Sequence, residues 1–286
     1  MFDFPSIFNF DLAGWIDNGM TWILQNSSVF FDSVSQGVLY VLLNIEKLLL
    51  WLPWFVVLLL VAVTAWWFIR RWWSGFLMAA LMFTIGALGL WDLAMMTLAI
   101  VIAAVILSLI IGIPLGILTA RSNFLESFTK PILDAMQTMP SFVYLIPAMM
   151  LFGLGKVPAV IATVIYAMPP VIRLTSMGIR QVQTSVIEAS QAFGANGWQQ
   201  LTGIQIPLAV PSIMVGINQT TMMALAMVVI ASMIGAQGMG MEVLLAIQRI
   251  EVGRGVVAGI CIVLLAIVVD RITSAAGSRL DYRTRA

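Results

Sequence analysis

Histidine is missing from this 286-residue chain, and cysteine occurs only once, at Cys261. The absence of histidine excludes histidine proton relays, Ser-His nucleophile pairs and histidine metal sites. A single cysteine excludes a disulfide within the chain. We therefore expect no catalytic residues and no metal site, and an intramembrane enzyme is the least supported class of function.

Charged residues are also scarce, at 9% of the chain, whereas 61% of the residues are hydrophobic. A soluble domain has about 25% charged residues, so this composition predicts a polytopic protein embedded in a lipid bilayer. The net charge is only +1, and nothing in the composition indicates nucleic-acid binding.

The N-terminal segment, residues 1–46, contains acidic residues but no lysine or arginine. Its apolar residues recur at nearly helical spacing, although Asp32, Ser35 and Gln36 interrupt the later part. We predict an external amphipathic helix that lies on the outer membrane surface. A disordered acidic tail is the alternative.

Seven apolar segments further along the chain have about the length that crosses a bilayer. The predicted spans are Leu48–Ile69, Gly75–Trp91, Leu93–Ala120, Ile132–Gly153, Val157–Ile172, Ile206–Gly235 and Val256–Ile272. The predicted fold is thus all-α, with about seven transmembrane helices after the interfacial helix. We assign residues 47–91 to two accessory helices, residues 92–275 to the core and residues 276–286 to a basic cytoplasmic tail.

Prolines and glycines qualify three of these spans. Pro53 falls in the first turn of the first span, where it costs little. Pro169-Pro170 is expected to end the fifth span. Gly112 and Gly116 either allow close helix packing or accompany a bend at Pro114.

The basic residues indicate how the spans are oriented. With seven spans and an external N-terminus, ten of the 14 Lys and Arg residues lie inside and four lie outside. The positive-inside rule favours this arrangement. It predicts a multi-pass protein of the cell membrane with a cytoplasmic C-terminus.

A polar stretch at residues 188–207, EASQAFGANGWQQLTGIQIP, separates the fifth and sixth spans. Gly194 is expected to end a helix that runs through Glu188, because glycine readily adopts the left-handed conformation found after helices. A second short helix can follow through Trp198 and Leu201. The stretch therefore predicts a helix, a turn and a short helix at the cytoplasmic membrane face.

This order of residues resembles the coupling motif of ABC importer permeases: Glu-Ala-Ala, three residues, Gly, nine residues, Ile, one residue and Leu-Pro. The matching positions are Glu188, Ala189, Ser190, Gly194, Ile204 and Pro207. Ser190 stands in place of Ala, and Ile206 in place of Leu. The resemblance implies that residues 182–206 form a coupling loop that docks onto a cytoplasmic ATPase subunit. An ordinary cytoplasmic loop is the alternative.

Three longer segments are similar to the permease subunit of glycine betaine/proline betaine ABC importers, which have the type I fold. They are PILDAMQTMPSFVYLIPAMMLFGLGKVP, YAMPPVIRLTSMGIRQV and GINQTTMMALAMVVIASMIG. The resemblance implies ATP-driven uptake of glycine betaine or a related quaternary-amine osmoprotectant. It also implies a second copy of the chain, two cytoplasmic ATPase subunits and an external substrate-binding protein as partners.

ATP is expected on the ATPase subunit, together with Mg²⁺, and this chain is expected to bind no cofactor. The run Gly153-Leu154-Gly155-Lys156 is not a phosphate loop, because that motif requires Gly at Met150 and Ser or Thr at Val157. The energy of ATP must therefore reach the chain from a partner.

Polar residues within two predicted spans are candidates for a translocation path. They are Gln137, Thr138, Ser141 and Tyr144 on the fourth span, and Asn218, Gln219 and Thr221 on the sixth. Such residues either face a wet solute path or form hydrogen bonds between packed helices, and the sequence leaves both open. A channel or ion-coupled transporter that works alone is the alternative function, with Asp134 as the main candidate for a buried titratable group.

Overall fold

The computed structural model describes residues 11–284, and all regular structure in this range is helical. The α-helices are α1 (Leu12–Trp51), α2 (Trp54–Ile69), α3 (Trp72–Ala87), α4 (Trp91–Arg121), α5 (Asn123–Thr138), α6 (Phe142–Phe152), α7 (Lys156–Ala167), α8 (Pro169–Arg180), α9 (Thr184–Ala192), α10 (Gly197–Gln200), α11 (Ile206–Ala231), α12 (Met239–Arg249) and α13 (Val252–Thr284). A π-helical turn, Leu201–Gln205, joins α10 to α11, and a 3-10 turn, Ser232–Ile234, follows α11. The all-α prediction is confirmed.

Five helical segments within the described range are long and apolar enough to cross a membrane: α1, α4, α7–α8, α10–α11 and α13. The pair α5–α6 makes a sixth if it is counted as one span. The helices α2 and α3 are apolar but have 16 residues each, about 24 Å of helix against a hydrocarbon core of about 30 Å. The prediction of about seven transmembrane helices is roughly consistent with these five or six spans and two shorter apolar helices.

Two predicted spans differ in shape from the prediction. Ile132–Gly153 is not one continuous helix, because α5 and α6 meet at 101° across a break at residues 139–141. Pro140 lies in that break, and a residue before proline, here Met139, favours extended backbone. The expectation that Pro169-Pro170 ends the fifth span is wrong. Met168 keeps helical torsion angles, and α7 and α8 together form one span of 25 residues.

The N-terminal helix also differs from the prediction. It is continuous to Trp51, with a kink at Ser27, so the boundary expected between residues 46 and 47 lies inside α1. The first predicted span, Leu48–Ile69, is therefore wrong as one helix. Leu52 is extended, and Pro53 caps the start of α2, as the restriction on residues before proline requires.

Two contacts show how the second half of α1 lies on the bundle. The Phe31 ring packs edge-on against Phe152, and Glu46 forms an ion pair with Lys156 at 2.6 Å. The two α1 residues are about 22 Å apart along the helix, whereas their partners are only four positions apart, at most about 14 Å. Val38 and Leu42 of α1 are also buried in one core cluster with Ala99 and Ile100 of α4. Since α1 has the length and composition of a span, its place on the outer membrane surface stays a prediction.

The centre of the bundle is formed where α4, α8 and α11 pack against one another. A Cβ atom at Gly116 would lie 2.8 Å from the carbonyl oxygen of Ile172, and one at Gly216 would lie 3.1 Å from the Cα of Val171. A Cβ atom at Gly112 would lie 2.5 Å from the Cγ1 atom of the Val171 side chain. Close packing, one of the two alternatives for Gly112 and Gly116, is therefore present, and α4 continues through Pro114 as one helix.

The remaining segments follow the prediction more closely. The third predicted span lies within α4, the sixth covers α11 and its 3-10 turn, and the seventh lies within α13. The expected boundary before residue 276 falls inside α13. Residues 1–10 of the N-terminal prediction and residues 285–286 of the tail lie outside the described range.

Candidate coupling loop and polar residues of the spans

The turn after α9 has the hydrogen-bonding pattern of a Schellman motif. The backbone N–H of Ala195 donates to the carbonyl of Ser190 at 3.0 Å, and that of Gly194 donates to Gln191 at 2.9 Å. Gly194 has φ +80, a left-handed conformation that glycine adopts without the steric cost of a side chain. The predicted turn is therefore at Gly194.

The short helix α10 begins with a capping box. The side chain of Asn196 accepts hydrogen bonds from the N–H groups of Trp198 and Gln199, at 3.1 and 2.8 Å. In return, the Gln199 side chain accepts from the N–H of Asn196 at 2.9 Å. A cap of this kind typically contributes about 1 kcal/mol to a helix, which matters for a helix of only four residues.

A side-chain contact joins α9 directly to α10. The Ser190 hydroxyl is buried and donates to the carbonyl of Ile187 at 2.7 Å. The Gln200 amide donates to the Ser190 hydroxyl at 3.3 Å. Ser190 is one of the two departures from the motif, and its hydroxyl supplies a contact that alanine would lack. The two helices and their turn therefore form one preorganised unit.

Arg121, the last residue of α4, connects this unit to the bundle. Its guanidinium donates a hydrogen bond to the carbonyl oxygen of Gly197 in α10. The two residues are 76 positions apart. The coupling motif covers only residues 188–207, so it could not predict this contact.

The loop displays two aromatic side chains. Phe193 is 93% exposed and Trp198 is 66% exposed. Exposed aromatic rings in a polar segment are typical anchors of protein interfaces. Phe193 was missed as a candidate because the motif leaves its position unspecified, although an aromatic residue beside Gly194 was a usable signal.

The other motif residues surround these anchors. Glu188 and Ala189 are exposed on α9, whereas Ile204 and Pro207 are half-buried in the π turn and the first turn of α11. Apart from Gly194 and its two chain neighbours, no atom of the described residues lies within 4 Å of the position that a Cβ would take at Gly194. The loop therefore presents one open face made of α9, the turn and α10.

The candidates of the fourth predicted span cluster at the α5–α6 break. Gln137 and Thr138 are exposed and Ser141 is half-buried. Tyr144 is buried, and its hydroxyl donates to the carbonyl of Met136 on the other side of the break. Tyr144 therefore stabilises the bend between the two helices.

The candidates of the sixth span face different surroundings. Asn218 donates to the carboxylate of Asp270 at 3.2 Å and accepts from the Thr273 hydroxyl at 2.6 Å. Thr221 is buried and donates to the carbonyl of Ile217 within its own helix. Gln219 is exposed. In this chain Asn218 bridges α11 and α13, whereas Gln219 is available to a solute path or another surface.

Asp270 is a second acidic residue within a predicted span that the sequence analysis missed. A carboxylate inside an apolar run is itself a signal, since such groups are rare and usually find partners. No hydrogen bond among residues 11–284 joins the α5–α6 candidates to those of α11. The two predicted halves of the path therefore share no direct hydrogen bond within the described residues.

Over residues 112–282, the chain matches the family of the binding-protein-dependent transport system inner membrane component. It is 46% identical over 274 residues to a glycine betaine/proline betaine transport system permease protein of Escherichia coli, covering 96% of this chain and 77% of that protein. It is 44% identical over 278 residues to a glycine betaine/carnitine transport permease protein of Listeria monocytogenes, covering 95% and 97%.

Solved structures show a similar fold. Inward-facing structures of the MetNI methionine ABC transporter align with a TM-score of 0.56 and 22% identity, over 66% of this chain and 93% of the matched chain. A second crystal form of the same transporter gives a TM-score of 0.58.

Proposed function

The chain belongs to the family of binding-protein-dependent transport system inner membrane components, so it is an ABC importer permease, and we propose that it carries glycine betaine or a related quaternary-amine osmoprotectant into the cell. The two relatives share glycine betaine in their names, and one adds proline betaine where the other adds carnitine. Each of these solutes combines a carboxylate with a quaternary ammonium group. That shared chemistry supports the solute class more strongly than any single member.

The observation that carries the proposed mechanism is the preorganised loop between α9 and α10. Its turn and caps are satisfied internally, its aromatic side chains point outward, and Arg121 ties it to α4. We infer that this loop docks onto a cytoplasmic ATPase subunit and transmits its movements to the bundle. ATP and Mg²⁺ would bind to that subunit.

The proposed assembly contains two copies of this chain, two ATPase subunits and an external substrate-binding protein. The family description names dependence on a binding protein, which supports the last of these. We further propose that the N-terminus is outside and the C-terminus is cytoplasmic. The link between Arg121 and Gly197 puts the end of α4 and the loop on one side of the membrane, and the ten-to-four split of basic residues favours the inner side. A reporter that is active only in the cytoplasm, fused after Ala286, should be active.

Reconstitution tests the function directly. The chain should be co-expressed with its ATPase subunit and binding protein and placed in lipid vesicles, and uptake of labelled glycine betaine should be measured with and without ATP. ATP-dependent uptake that unlabelled carnitine or proline betaine reduces is the expected result. Equal uptake without ATP or without the ATPase subunit would favour the channel or ion-coupled alternative.

A further inference from the structure

A cleft of about 340 Å³ lies between the end of α4, the first three turns of α5 and the C-terminal part of α8. Three basic side chains line it: Lys130 from α5, and Arg173 and Arg180 from α8. Its wall also contains Glu126 and the apolar side chain of Leu133. Nothing in the proposed transport mechanism uses this cleft.

Neighbouring groups hold the two arginines in place. Arg173 forms an ion pair with Asp134. Arg180 pairs with Glu126 at 3.1 Å and donates to the carbonyl oxygen of Thr119 at 2.9 Å. Because a guanidinium has five N–H donors, these contacts fix its orientation and leave further donors for a ligand.

Two polar groups in the cleft have no such partners. The Lys130 ammonium group forms no hydrogen bond or ion pair with any side chain described here. Ser176 is only 8% exposed, lines the cleft and has no hydrogen-bond partner for its hydroxyl within the described part of the chain. Lys130 is exposed, and both groups line the cleft, so their N–H and O–H groups are free to donate hydrogen bonds to a ligand that enters it.

The charge balance indicates the sign of that ligand. Lys130, Arg173 and Arg180 supply three positive charges, and the carboxylates of Glu126 and Asp134 compensate two. One positive charge therefore remains at Lys130. Arginine and lysine side chains together suit an oxyanion with several acceptor oxygens.

We propose that this cleft binds a phosphate group, carried either by the headgroup of an anionic lipid or by free inorganic phosphate. A quaternary-amine solute fits less well, because the cleft has no aromatic side chain in its wall to receive the ammonium group. The apolar side chains of Leu133 and Ile172 are compatible with a lipid. The site adjoins the coupling loop, since Thr119 of its wall lies two residues before Arg121.

Thermal unfolding of the full-length chain in a neutral detergent tests this site. The Tm should be recorded during titration with inorganic phosphate, against chloride at matched ionic strength, and with short-chain phosphatidylglycerol, against phosphatidylcholine. Phosphate, phosphatidylglycerol or both should raise the Tm, because a ligand that binds only the folded state stabilises it. The ligand that acts identifies the source.

Variants connect the effect to the cleft. Lys130→Gln should weaken the apparent affinity about tenfold or more, the effect of losing one charged hydrogen bond, and Lys130→Arg should retain it. Arg271→Gln is the matched control, because Arg271 is an exposed basic residue on α13 outside the cleft. The proposal is wrong if neither ligand raises the Tm, if Lys130→Gln responds like the wild type, or if Arg271→Gln loses the response equally. None of these readouts requires transport, so failure here leaves the proposed function standing.

Discussion

The guanidinium of Arg121 lies 2.9 Å from the carbonyl oxygen of Gly197 and donates a hydrogen bond to it. The first residue ends α4, a central helix of the bundle, and the second begins α10. The bond gives the loop a direct contact with a helix that packs on α8. Displacement of the loop by a partner would therefore act on α4 as well as on α11, to which the loop is joined covalently.

Arg121→Gln should impair transport more than stability. The variant loses one charge-assisted hydrogen bond at an exposed site, about 1 kcal/mol, so the folded bundle should persist. We expect ATP-dependent uptake in vesicles to fall about fivefold or more, with Arg271→Gln as the control. Unchanged uptake in Arg121→Gln would show that force does not pass through this contact.

Gly194→Val should abolish uptake and reduce co-purification of the ATPase subunit. At φ +80 a side chain costs about 1 to 2 kcal/mol, and a β-branched one is the least tolerated. Gly194→Asn is the matched variant, since asparagine accepts this conformation more readily, and it should keep most of the uptake. Glu188→Ala should have a weaker effect, because it changes a contact and not the backbone. Wild-type uptake in Gly194→Val would remove the main support for a coupling role.

Phe193→Ala and Trp198→Ala should each weaken the attachment of the ATPase subunit. Aromatic anchors of interfaces often contribute about 2 kcal/mol each, roughly a 30-fold change in affinity. The measurement is the amount of ATPase subunit retained on the immobilised permease. Phe76→Ala removes a similarly exposed ring on α3 and serves as the control. Equal retention in all three variants would assign the anchoring to other residues.

Asn218→Leu and Gln219→Leu should have different effects. Asn218 joins α11 to α13, so its loss leaves the Asp270 carboxylate with fewer donors and should lower the free energy of unfolding by about 1 kcal/mol or more. Gln219 is exposed, so its replacement should leave stability unchanged and lower uptake if it faces the solute. Thermal unfolding and uptake measured on both variants separate the two roles. A stable, fully active Gln219→Leu protein would exclude Gln219 from the path.

Glu46→Gln should loosen α1 from the bundle. Its carboxylate meets the Lys156 ammonium group at 2.6 and 2.8 Å in a largely buried pair, and removal of one partner of such a pair typically costs about 3 kcal/mol. The measurement is protease accessibility of α1 together with the unfolding free energy. Asp17→Asn, on an exposed part of α1, should match the wild type. The double variant Glu46→Met with Lys156→Met should recover part of the loss.

Local chemistry explains which parts of the fold were predictable. Gly194 and Asn196 define a turn and a cap through contacts within six residues, so the loop could be predicted from its own sequence. Pro169-Pro170 has equally strong local signals, and the regular helix α7 does end before it, but the span continues. Both prolines lie in the first turn of α8, where the missing N–H groups would have no partner within the helix and proline costs little.

Long-range contacts account for what the sequence could not show. Arg121 and Gly197 are brought together only by the folded bundle, as are Asn218 and Asp270, which are 52 positions apart. Neither contact belongs to a periodic pattern in the sequence. Only the position of α13 in the fold shows that Asn218 bridges two helices.

The 101° bend between α5 and α6 has a consequence for what must surround it. Lipid tails offer no hydrogen bonds, so an irregular backbone is tolerated at membrane depth only where protein covers it or water fills the space beside it. Met139 and Pro140 at this bend are exposed on the isolated chain, within a segment predicted to cross the bilayer. A solitary copy dissolved in lipid would leave this corner against hydrocarbon. Either another protein surface or a water-filled cavity must therefore face this bend. The isolated chain does not shield its own backbone from the lipid there.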